Sequence, residues 1–276
     1  MINQLMIQIF LRMENNNYSI ITKLMGGLGN MMFQIAAGYS VAMRDGKYFY
    51  CDEIMDNTPH KHFSFYKEDL LRKIPFQKKT NIDDVYVEKE FSFVPIPNTT
   101  NNLEIRGYFQ SEKYFNVYRK NILELFEPNK NTINKVNFFL EKFPNIKSCS
   151  IHVRRGDYVH LSDYHCLLDI NYYKKATEII GQDTNYLIFS DDINWCKDNF
   201  SFLKNKTFVS GFNDFEELYL MSLCDHNIIA NSSFSWWGAW LNKNENKKVV
   251  APKKWFGEKL KNHNTNDLYC EQWIKI

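Results

Sequence analysis

The C-terminal half of the chain alternates between short apolar runs and amphipathic stretches. The apolar runs predict β-strands at residues 148–153, 186–189, 207–209, 227–230 and 248–251. The stretches between them predict helices at 172–180, 192–199, 215–224 and 235–241, and Asn213 or Asp214 is suited to cap the third of these. Strands and helices that alternate at this interval favour a parallel sheet with right-handed crossovers.

The N-terminal half is less regular. It predicts strands at 19–24, 48–51 and 103–106, and helices at 30–44, 114–125 and 132–142. Residues 52–102 are rich in aromatic residues and prolines and show no clear period. We therefore expect an N-terminal domain at 18–130, a connecting segment at 131–147 and a C-terminal domain at 148–276. Residues 1–17 are set apart as a leader whose role the sequence does not fix.

Polar residues follow four of the predicted C-terminal strands. They are Arg154 and Arg155, then Ser190, Asp191 and Asp192, then Ser210, and finally Asn231, Ser232 and Ser233. A parallel sheet brings the carboxyl ends of its strands to one edge, where ligands of α/β proteins bind. Cationic, carboxylate and hydroxyl groups along one edge suit a nucleotide. The arginines would bind phosphate, and an aspartate would bind the base or the ribose.

The paired arginines begin directly after the apolar run 149–153. A guanidinium matches two phosphate oxygens at once and stays charged at any working pH. An isolated Arg-Arg pair fits a solvated turn equally well. The phosphate interpretation therefore depends on the other strands ending at the same edge.

A glycine-rich segment, Gly26-Gly27-Leu28-Gly29-Asn30, joins the first predicted strand to the first helix. Glycines permit positive φ and close approach of a ligand, and a helix N-terminus offers free amides to an anion. The segment is not a dinucleotide fingerprint, because Met32 stands at the place of the third glycine. It is not a P-loop either, since no Gly-Lys-Ser/Thr follows. Alone, it fits a tight structural turn as well as a binding loop.

Composition narrows the class of protein. The 276 residues are 44% hydrophobic and 16% aromatic, which permits a substantial core, and the net charge of +2 gives no reason to expect nucleic-acid binding. The six cysteines form no C-x-x-C pair, a pattern typical of reduced, mostly buried thiols in a cytoplasmic protein. No stretch approaches the roughly 20 apolar residues that span a bilayer. Peripheral membrane association through residues 1–17 stays open, as does the oligomeric state.

Five motifs together resemble the α-1,2-fucosyltransferases of glycosyltransferase family 11. They are Gly26-Gly27-Leu28-Gly29-Asn30 with Phe33-Gln34, Gly107-Tyr108-Phe109-Gln110-Ser111, His152-x-Arg154-Arg155-Gly156-Asp157-Tyr158, Phe189-Ser190-Asp191-Asp192, and Asn231-Ser232-Ser233-Phe234-Ser235-Trp236-Trp237-Gly238. They occur in the family's order from about residue 19 to the C-terminus. Met31 departs from the pattern, since these enzymes commonly carry Gln there, and this change bears on acceptor contacts or loop packing.

The resemblance implies two Rossmann-like α/β domains in a GT-B-type architecture with a cleft between them. It also implies transfer of L-fucose from GDP-β-L-fucose to O2 of a terminal galactose on an oligosaccharide, with inversion and without an obligatory metal or other cofactor. The sequence itself contains no D-x-D, no H-E-x-x-H and no cysteine cluster. Two alternatives stay open: another GDP- or UDP-sugar transferase on the same scaffold, and a non-catalytic module that binds sugar nucleotides or glycans.

Site residues are assigned on the same basis. The donor-binding set is His152, Arg154, Arg155, Asp191, Ser232, Ser233 and Phe234. Arg154 is expected to stabilise charge on the β-phosphate, and Asp191 to accept from the guanine edge. Asp157 is the candidate base for the acceptor hydroxyl, although an ion pair with Arg154 or Arg155 is an equal alternative. The glycine-loop residues expected on the acceptor side are Gly27, Gly29 and Asn30.

Overall fold

The computed structural model describes residues 18–55, 59–79, 81–143 and 146–276. The chain divides into two compact units. The N-terminal unit extends to Glu127 and includes Asn266–Leu268, and the C-terminal unit comprises Pro128–Thr265 and Tyr269–Ile276. The leader expected at 1–17 lies outside the described residues.

The N-terminal unit contains a five-stranded parallel sheet with the order β3-β2-β1-β5-β4. Its strands are β1 (Ser19–Thr22), β2 (Tyr48–Asp52), β3 (Phe76–Gln77), β4 (Asp84–Val87) and β5 (Leu103–Arg106). The described residues of this unit include the α-helices α1 (Leu28–Asp45) and α2 (Arg119–Leu125).

Helix α1 packs closely against β1. At Gly38 a Cβ would lie 1.9 Å from Oγ1 of Thr22, so only glycine allows this approach of helix and strand. The helix ends at Gly46, whose left-handed φ of 64° lets its N–H reach the carbonyl of Ala42. Apolar residues along the buried face, among them Met31 and Phe33, are fully excluded from solvent. This packing fixes where the start of α1 lies relative to the end of β1.

The C-terminal unit contains a six-stranded parallel sheet with the order β11-β10-β9-β6-β7-β8. Its strands are β6 (Ser148–Val153), β7 (Asn185–Ser190), β8 (Lys206–Phe208), β9 (His226–Ile228), β10 (Val249–Ala251) and β11 (Ile274–Lys275). Its helices are α3 (Lys130–Leu140), α4 (Ile170–Ile180), α5 (Ile193–Asn199), α6 (Asp214–Ser222) and α7 (Ser233–Leu241).

Apolar clusters cover both faces of this sheet. On one face Ile151 and Ile188 pack with Tyr173 of α4, and on the other Leu187 packs with Leu220 of α6. All six residues of β6 are buried, the polar Ser148, Ser150 and His152 as well as the apolar ones, because both faces of the sheet are covered at this strand. Counted from β6, the strand order is that of a doubly wound sheet: β7 and β8 are added on one side of β6, and β9, β10 and β11 on the other. The order in which strands are added therefore reverses between β6 and β9. Ligands of such sheets bind outside the carboxyl ends of the strands at that reversal.

The predicted strands are present, and β5 and β6 have the predicted limits. The N-cap prediction for α6 is also confirmed, because Asn213 and Glu216 form a capping box. The helix expected at 114–125 is wrong over its first part. Phe115, with φ −145°, separates two short 3₁₀ turns, and α2 begins only after them. The Phe115 side chain is fully buried against Phe33, so packing overrides the local helical pattern at this residue.

The short edge strands β3, β4 and β11 carry no sequence signal strong enough to predict them. All six cysteines are free thiols, and all but Cys166 are buried, as the sequence predicted. Among the residues described, no helix combines the length and apolar character that crossing a bilayer requires.

Candidate functional site

Three strand ends of the C-terminal unit bring the predicted donor residues together. Arg154 follows β6, Asp191 follows β7, and Ser232 follows β9. The register places Val153 beside Ser190 and Ile151 beside Ile228, so the three ends meet at one edge. This edge lies at the reversal of strand order between β6 and β9.

Arg154 is held by two carboxylates. Its Nη2 lies 2.7 Å from Oδ1 of Asp157, and its Nη1 lies 2.9 Å from Oδ2 of Asp191. Its guanidinium carbon lies 5.5 Å from the centre of the Tyr158 ring. The side chain is 30% exposed. The fork is therefore fixed in orientation and still open to solvent, as an anion-binding group must be.

Arg155 has a different environment. Its guanidinium carbon lies 4.2 Å from the centre of the Trp195 ring on α5, and its Nε lies 3.1 Å from Oδ2 of Asp192. Its side chain is 16% exposed. Stacking and an ion pair both direct this side chain toward α5. The two adjacent arginines therefore have separate roles, and Arg154 is the more available to a ligand.

Asp191 connects the two arginines. Besides its ion pair with Arg154, its Oδ1 accepts the backbone N–H of Arg155 at 2.8 Å. Gly156, the residue after Arg155, allows this close approach of Asp191, since a Cβ there would lie 2.7 Å from Oδ2 of Asp191. The sequence assigned Asp191 to the guanine edge, and its carboxylate is here engaged by Arg154 and the chain beside it.

His152 is the buried member of the predicted donor set. It is 6% exposed, and its Nδ1 has no hydrogen-bond partner in the part of the chain that the structure describes. Burial, and after it the positive charge of Arg154, lower the pKa of His152 to about 3. The imidazole is therefore neutral at pH 7, so it can donate or accept a hydrogen bond and contributes no charge. Its ring centre lies 5.5 Å from that of Phe234.

The loop after β9 leads directly into α7. Nδ2 of Asn231 donates to the carbonyls of Cys166 and Trp255, each at 2.8 Å. Tyr158 donates to the carbonyl of Asn231 at 3.0 Å, so the arginine motif and this loop support each other. Ser232 is the N-cap of α7, and its side chain makes no capping hydrogen bond.

The residues that open α7 differ in burial. Ser233 and Phe234 are partly buried, whereas Trp236 and Trp237 are fully buried. The two tryptophans are therefore core residues, as is usual for aromatic residues in an apolar helix. The start of α7 offers hydroxyl and amide groups beside the arginine motif, which suits an anionic ligand.

The glycine loop occupies the corresponding place in the N-terminal unit. Oε1 of Gln34 accepts the N–H of Met25 at 2.9 Å, and Nε2 of Gln34 donates to the Met25 carbonyl at 3.2 Å. Gly26 has a left-handed φ of 77°, and a Cβ there would lie 2.6 Å from Nδ2 of Asn30. Oδ1 of Asn30 accepts from Nε2 of Gln110 at 2.8 Å. The loop is thus built to present Asn30 at the edge of the sheet.

Helix α1 begins at Leu28, earlier than the predicted start at residue 30, so it includes part of the glycine-rich segment. Gly27 is its N-cap, while Gly29 and Asn30 lie in its first turn. Gly29 is buried, and its expected place on the acceptor side stays a prediction. The earlier helix start was not predicted because three glycines within four residues indicate a turn more strongly than a helix start.

Sequence reasoning gave no role to several residues that hold the site. Trp195 could have been found from its place three residues after Asp192, which caps α5 by accepting the Trp195 N–H at 3.2 Å. Glu88, whose carboxylate accepts the backbone N–H groups of Tyr108 and Phe109, has no such signal, because it follows the unpredicted strand β4. Within the described residues, no group of three or more His, Cys, Asp or Glu side chains is arranged to hold a metal ion.

Curated relatives cover nearly the whole chain. The O-antigen biosynthesis glycosyltransferase WbnK of Escherichia coli is 31% identical, over 92% of this chain and 99% of its own. An alpha-1,2-colitosyltransferase of Escherichia coli is 30% identical, over 93% of this chain and 98% of its own. The galactoside alpha-(1,2)-fucosyltransferase 2 of Oryctolagus cuniculus is 24% identical, over 79% of this chain and 65% of its own.

Solved structures share the fold at low sequence identity. The fucosyltransferase NodZ of Bradyrhizobium superposes with a TM-score of 0.55 and 11% identity, over 81% of this chain and 93% of its own. POFUT1 in complex with GDP-fucose also gives a TM-score of 0.55, with 10% identity, over 85% of this chain and 97% of its own. These likenesses support the GT-B-type class of fold with two parallel-sheet α/β domains.

The profile of glycosyl transferase family 11 matches residues 22–276, which include every motif described above. A match of this extent, together with relatives of 31% and 30% identity along almost the full chain, establishes the family. The chain therefore belongs to glycosyltransferase family 11.

Proposed function

We propose that this glycosyltransferase moves L-fucose from GDP-β-L-fucose to O2 of a terminal galactose on an oligosaccharide, with inversion and without a metal ion. The observation that carries the proposal is the partly exposed Arg154 guanidinium, oriented by Asp157 and Asp191 at the strand reversal of the C-terminal sheet. The names of the curated fucosyltransferases and the GDP-fucose complex of POFUT1 support this choice of donor.

The donor binds at the edge formed by β6, β7 and β9. Arg154 contacts oxygens of the β-phosphate, and the hydroxyls of Ser232 and Ser233 contact phosphate or ribose. Asp191 is proposed to accept from the guanine edge, which requires that it share its oxygens with Arg154 or exchange partners when the donor binds. Arg155, stacked on Trp195, is proposed to stabilise the structure of this edge and not to contact the β-phosphate.

In the chemical step the bond between fucose C1 and the β-phosphate oxygen breaks, and a bond from galactose O2 to C1 forms on the opposite face. Both electrons of the broken bond leave with GDP, so negative charge grows on the β-phosphate. Arg154 stabilises this charge in the transition state, which in other enzymes is worth roughly 3–4 kcal/mol for one well-placed donor. No metal is needed in this scheme, because a fixed guanidinium carries the neutralising charge.

The proton of the galactose O2 hydroxyl must pass to a base as the new bond forms. Asp157 is the carboxylate of the motif nearest to Arg154, with Oδ1 2.7 Å from the guanidinium. That contact favours the alternative that Asp157 positions Arg154. The two roles are separable by pH dependence, because only a base would be responsible for the acidic limb of the pH–rate profile.

A second candidate is the transfer of colitose. The relative named alpha-1,2-colitosyltransferase is 30% identical, nearly as similar as WbnK. Colitose is fucose without the 3-hydroxyl, so both nucleotide sugars present the same diphosphate to Arg154. Groups near the sugar's C3, and not the donor edge described here, would decide between them.

The test is incubation with GDP-fucose or GDP-colitose and a panel of β-galactosides in the presence of EDTA, followed by linkage analysis of any product. We expect an α-1,2-fucosylated galactoside, at a rate that added Mg²⁺ or Mn²⁺ does not change. UDP-galactose serves as the donor control and should give no product. Transfer of colitose alone, a different linkage, or activity abolished by EDTA would each contradict the proposal.

A further inference from the structure

Besides the glycine loop, a second segment fixed by hydrogen bonds lies at the carboxyl edge of the N-terminal sheet. It comprises residues 107–110, which directly follow β5, and we call it the β5 loop. Glu88, at the end of β4, accepts two backbone N–H groups of this loop. Oε2 accepts from Tyr108 at 2.6 Å, and Oε1 accepts from Phe109 at 3.0 Å. One carboxylate therefore fixes two successive peptide groups.

The backbone of the β5 loop is held in an uncommon conformation. Phe109 has φ 52°, a value few residues other than glycine adopt, and its side chain is fully buried. Gly107 passes so close to Glu88 that a Cβ there would lie 2.3 Å from the Glu88 Cβ. Such a conformation persists only where the surroundings enforce it, a pattern found at ligand sites.

Burial adds to the cost of this arrangement. It raises the pKa of Glu88, and the two backbone N–H donors oppose that rise. A surface loop of four residues needs no partly buried carboxylate to exist. The loop is therefore more rigidly defined than its connecting role between β5 and the following turn requires.

The β5 loop adjoins the glycine loop. The strand order β3-β2-β1-β5-β4 places the reversal of this sheet between β1 and β5, and both loops follow those strands. The hydrogen bond from Gln110 to Asn30 joins the two loops at this point. Tyr108 is 41% exposed, whereas the two residues that follow it, Phe109 and Gln110, are buried. The edge thus presents an open aromatic ring beside a pair of neutral amides.

We propose that Tyr108 is a stacking surface for the apolar face of the acceptor galactose, and that Glu88 is a positioning residue that holds Tyr108 in place. This inference rests on the proposed function for its substrate class. The C–H groups at C3, C4 and C5 give galactose one apolar face, which suits a flat aromatic ring, while amides suit its hydroxyls. Tyr108, Asn30 and Gln110 carry no charge, as expected for a neutral sugar.

The experiment compares Tyr108→Ala and Tyr108→Phe with Tyr48→Ala. Tyr48 is a matched control, because it belongs to the same unit, is 39% exposed and lies at the start of β2, on the opposite edge of the sheet. Binding of methyl β-D-galactopyranoside is followed by saturation-transfer NMR, and the KM values for lactose and GDP-fucose are measured separately.

We expect Tyr108→Ala to weaken galactoside binding and raise the acceptor KM about tenfold, with the donor KM within about twofold of wild type, since one aromatic contact is worth about 1 kcal/mol or somewhat more. Tyr108→Phe keeps the ring and should stay within about twofold in both. Tyr48→Ala should match wild type.

Glu88→Gln tests the positioning role. An amide offers one acceptor oxygen where the loop requires two, so we expect an acceptor KM about fivefold higher and an unchanged donor KM. The double variant with Tyr108→Ala should be no worse than Tyr108→Ala alone, because both changes remove the same contact. Additive effects on the acceptor KM would show that Glu88 acts independently of Tyr108 and would overturn its positioning role.

Equal acceptor binding by Tyr108→Ala and Tyr48→Ala would overturn the inference, as would a rise in donor KM alone, which would assign Tyr108 to the nucleotide. Failure of the wild-type protein to bind the galactoside would also overturn it. If wild type binds the galactoside through Tyr108 but transfers no fucose from GDP-fucose, the proposed donor fails and this inference stands.

Discussion

The carboxyl edges of the two parallel sheets are built in the same topological place from different chemistry. In the C-terminal unit, Arg154 lies between Asp157 and Asp191 in a network of full charges. In the N-terminal unit, Asn30 and Gln110 meet through a neutral amide pair. Each edge lies where its strand order reverses.

This difference follows from what each edge is proposed to bind. A diphosphate is anionic and is recognised by fixed cations, whose orientation must be set by nearby carboxylates. A galactose is neutral and is recognised by amides and an aromatic ring. The shared topology therefore supplies the location, and the residues after each strand supply the specificity. Variants at each edge test whether donor binding and acceptor binding are separate in this way.

The largest expected effect comes from Arg154→Lys. The variant keeps the charge but loses the fork that contacts two phosphate oxygens, so we expect kcat to fall about 100- to 1,000-fold. Steady-state rates at saturating GDP-fucose measure this, with Arg44→Lys at the end of α1 as the control. Turnover near the wild-type rate would remove Arg154 from the chemical step and with it the charged half of the comparison.

Gln34→Leu tests the carboxyl edge of the N-terminal sheet, where Asn30 and Gln110 meet. The change removes both hydrogen bonds to the backbone of Met25, so we expect the free energy of unfolding to fall by about 2 kcal/mol. Denaturant unfolding measures this loss, and the acceptor KM should rise while GDP affinity stays constant. Gln77→Leu, at an exposed position of the edge strand β3, is the control and should be close to wild type. A loss of GDP affinity in Gln34→Leu would show that the glycine loop serves the donor.

His152 gives a pH-dependent prediction for the charged edge. Its pKa of about 3 in the folded protein lies below the value of about 6.5 in an unfolded chain. Between those values the unfolded chain binds a proton that the folded protein does not. This contribution to stability is therefore lost as pH falls below about 6.5, with a slope of at most about 1.4 kcal/mol per pH unit.

Replacement by Asn should remove that slope. Urea unfolding of wild type and His152→Asn from pH 7 to pH 4 gives the comparison, with the exposed His160→Asn as the control. Parallel stability curves for wild type and His152→Asn would mean that the buried imidazole does not resist protonation.

Asp157→Asn has the smallest expected effect. A half-exposed ion pair contributes up to about 1 kcal/mol, and Asn retains an acceptor for the guanidinium, so kcat and the donor KM should change less than about fivefold. The acidic limb of the pH–rate profile should persist. A loss of about 100-fold or more together with that limb would instead establish Asp157 as the base.

The sequence predicted the C-terminal unit better than the N-terminal one, for a physical reason. Strand β6 is buried along its whole length, and its apolar residues Cys149, Ile151 and Val153 recur at every second position, which is the period of a strand. Strand β4, by contrast, is exposed along most of its length. Glu88, which follows it, could not be given a role, since its partners Tyr108 and Phe109 are about 20 residues away in the chain.

By itself, the sequence determined the alternation of strands and helices and the motifs that lie at the strand ends, because burial and capping are local in their residue pattern. Only the tertiary structure decided which of the two adjacent arginines is open to a ligand. Trp195 and Asp192 come from the next strand–helix unit and bind Arg155, which leaves Arg154 to Asp157 and Asp191. Side-chain direction at a strand end depends on neighbours that the sheet order supplies, and that order is not encoded in any one segment.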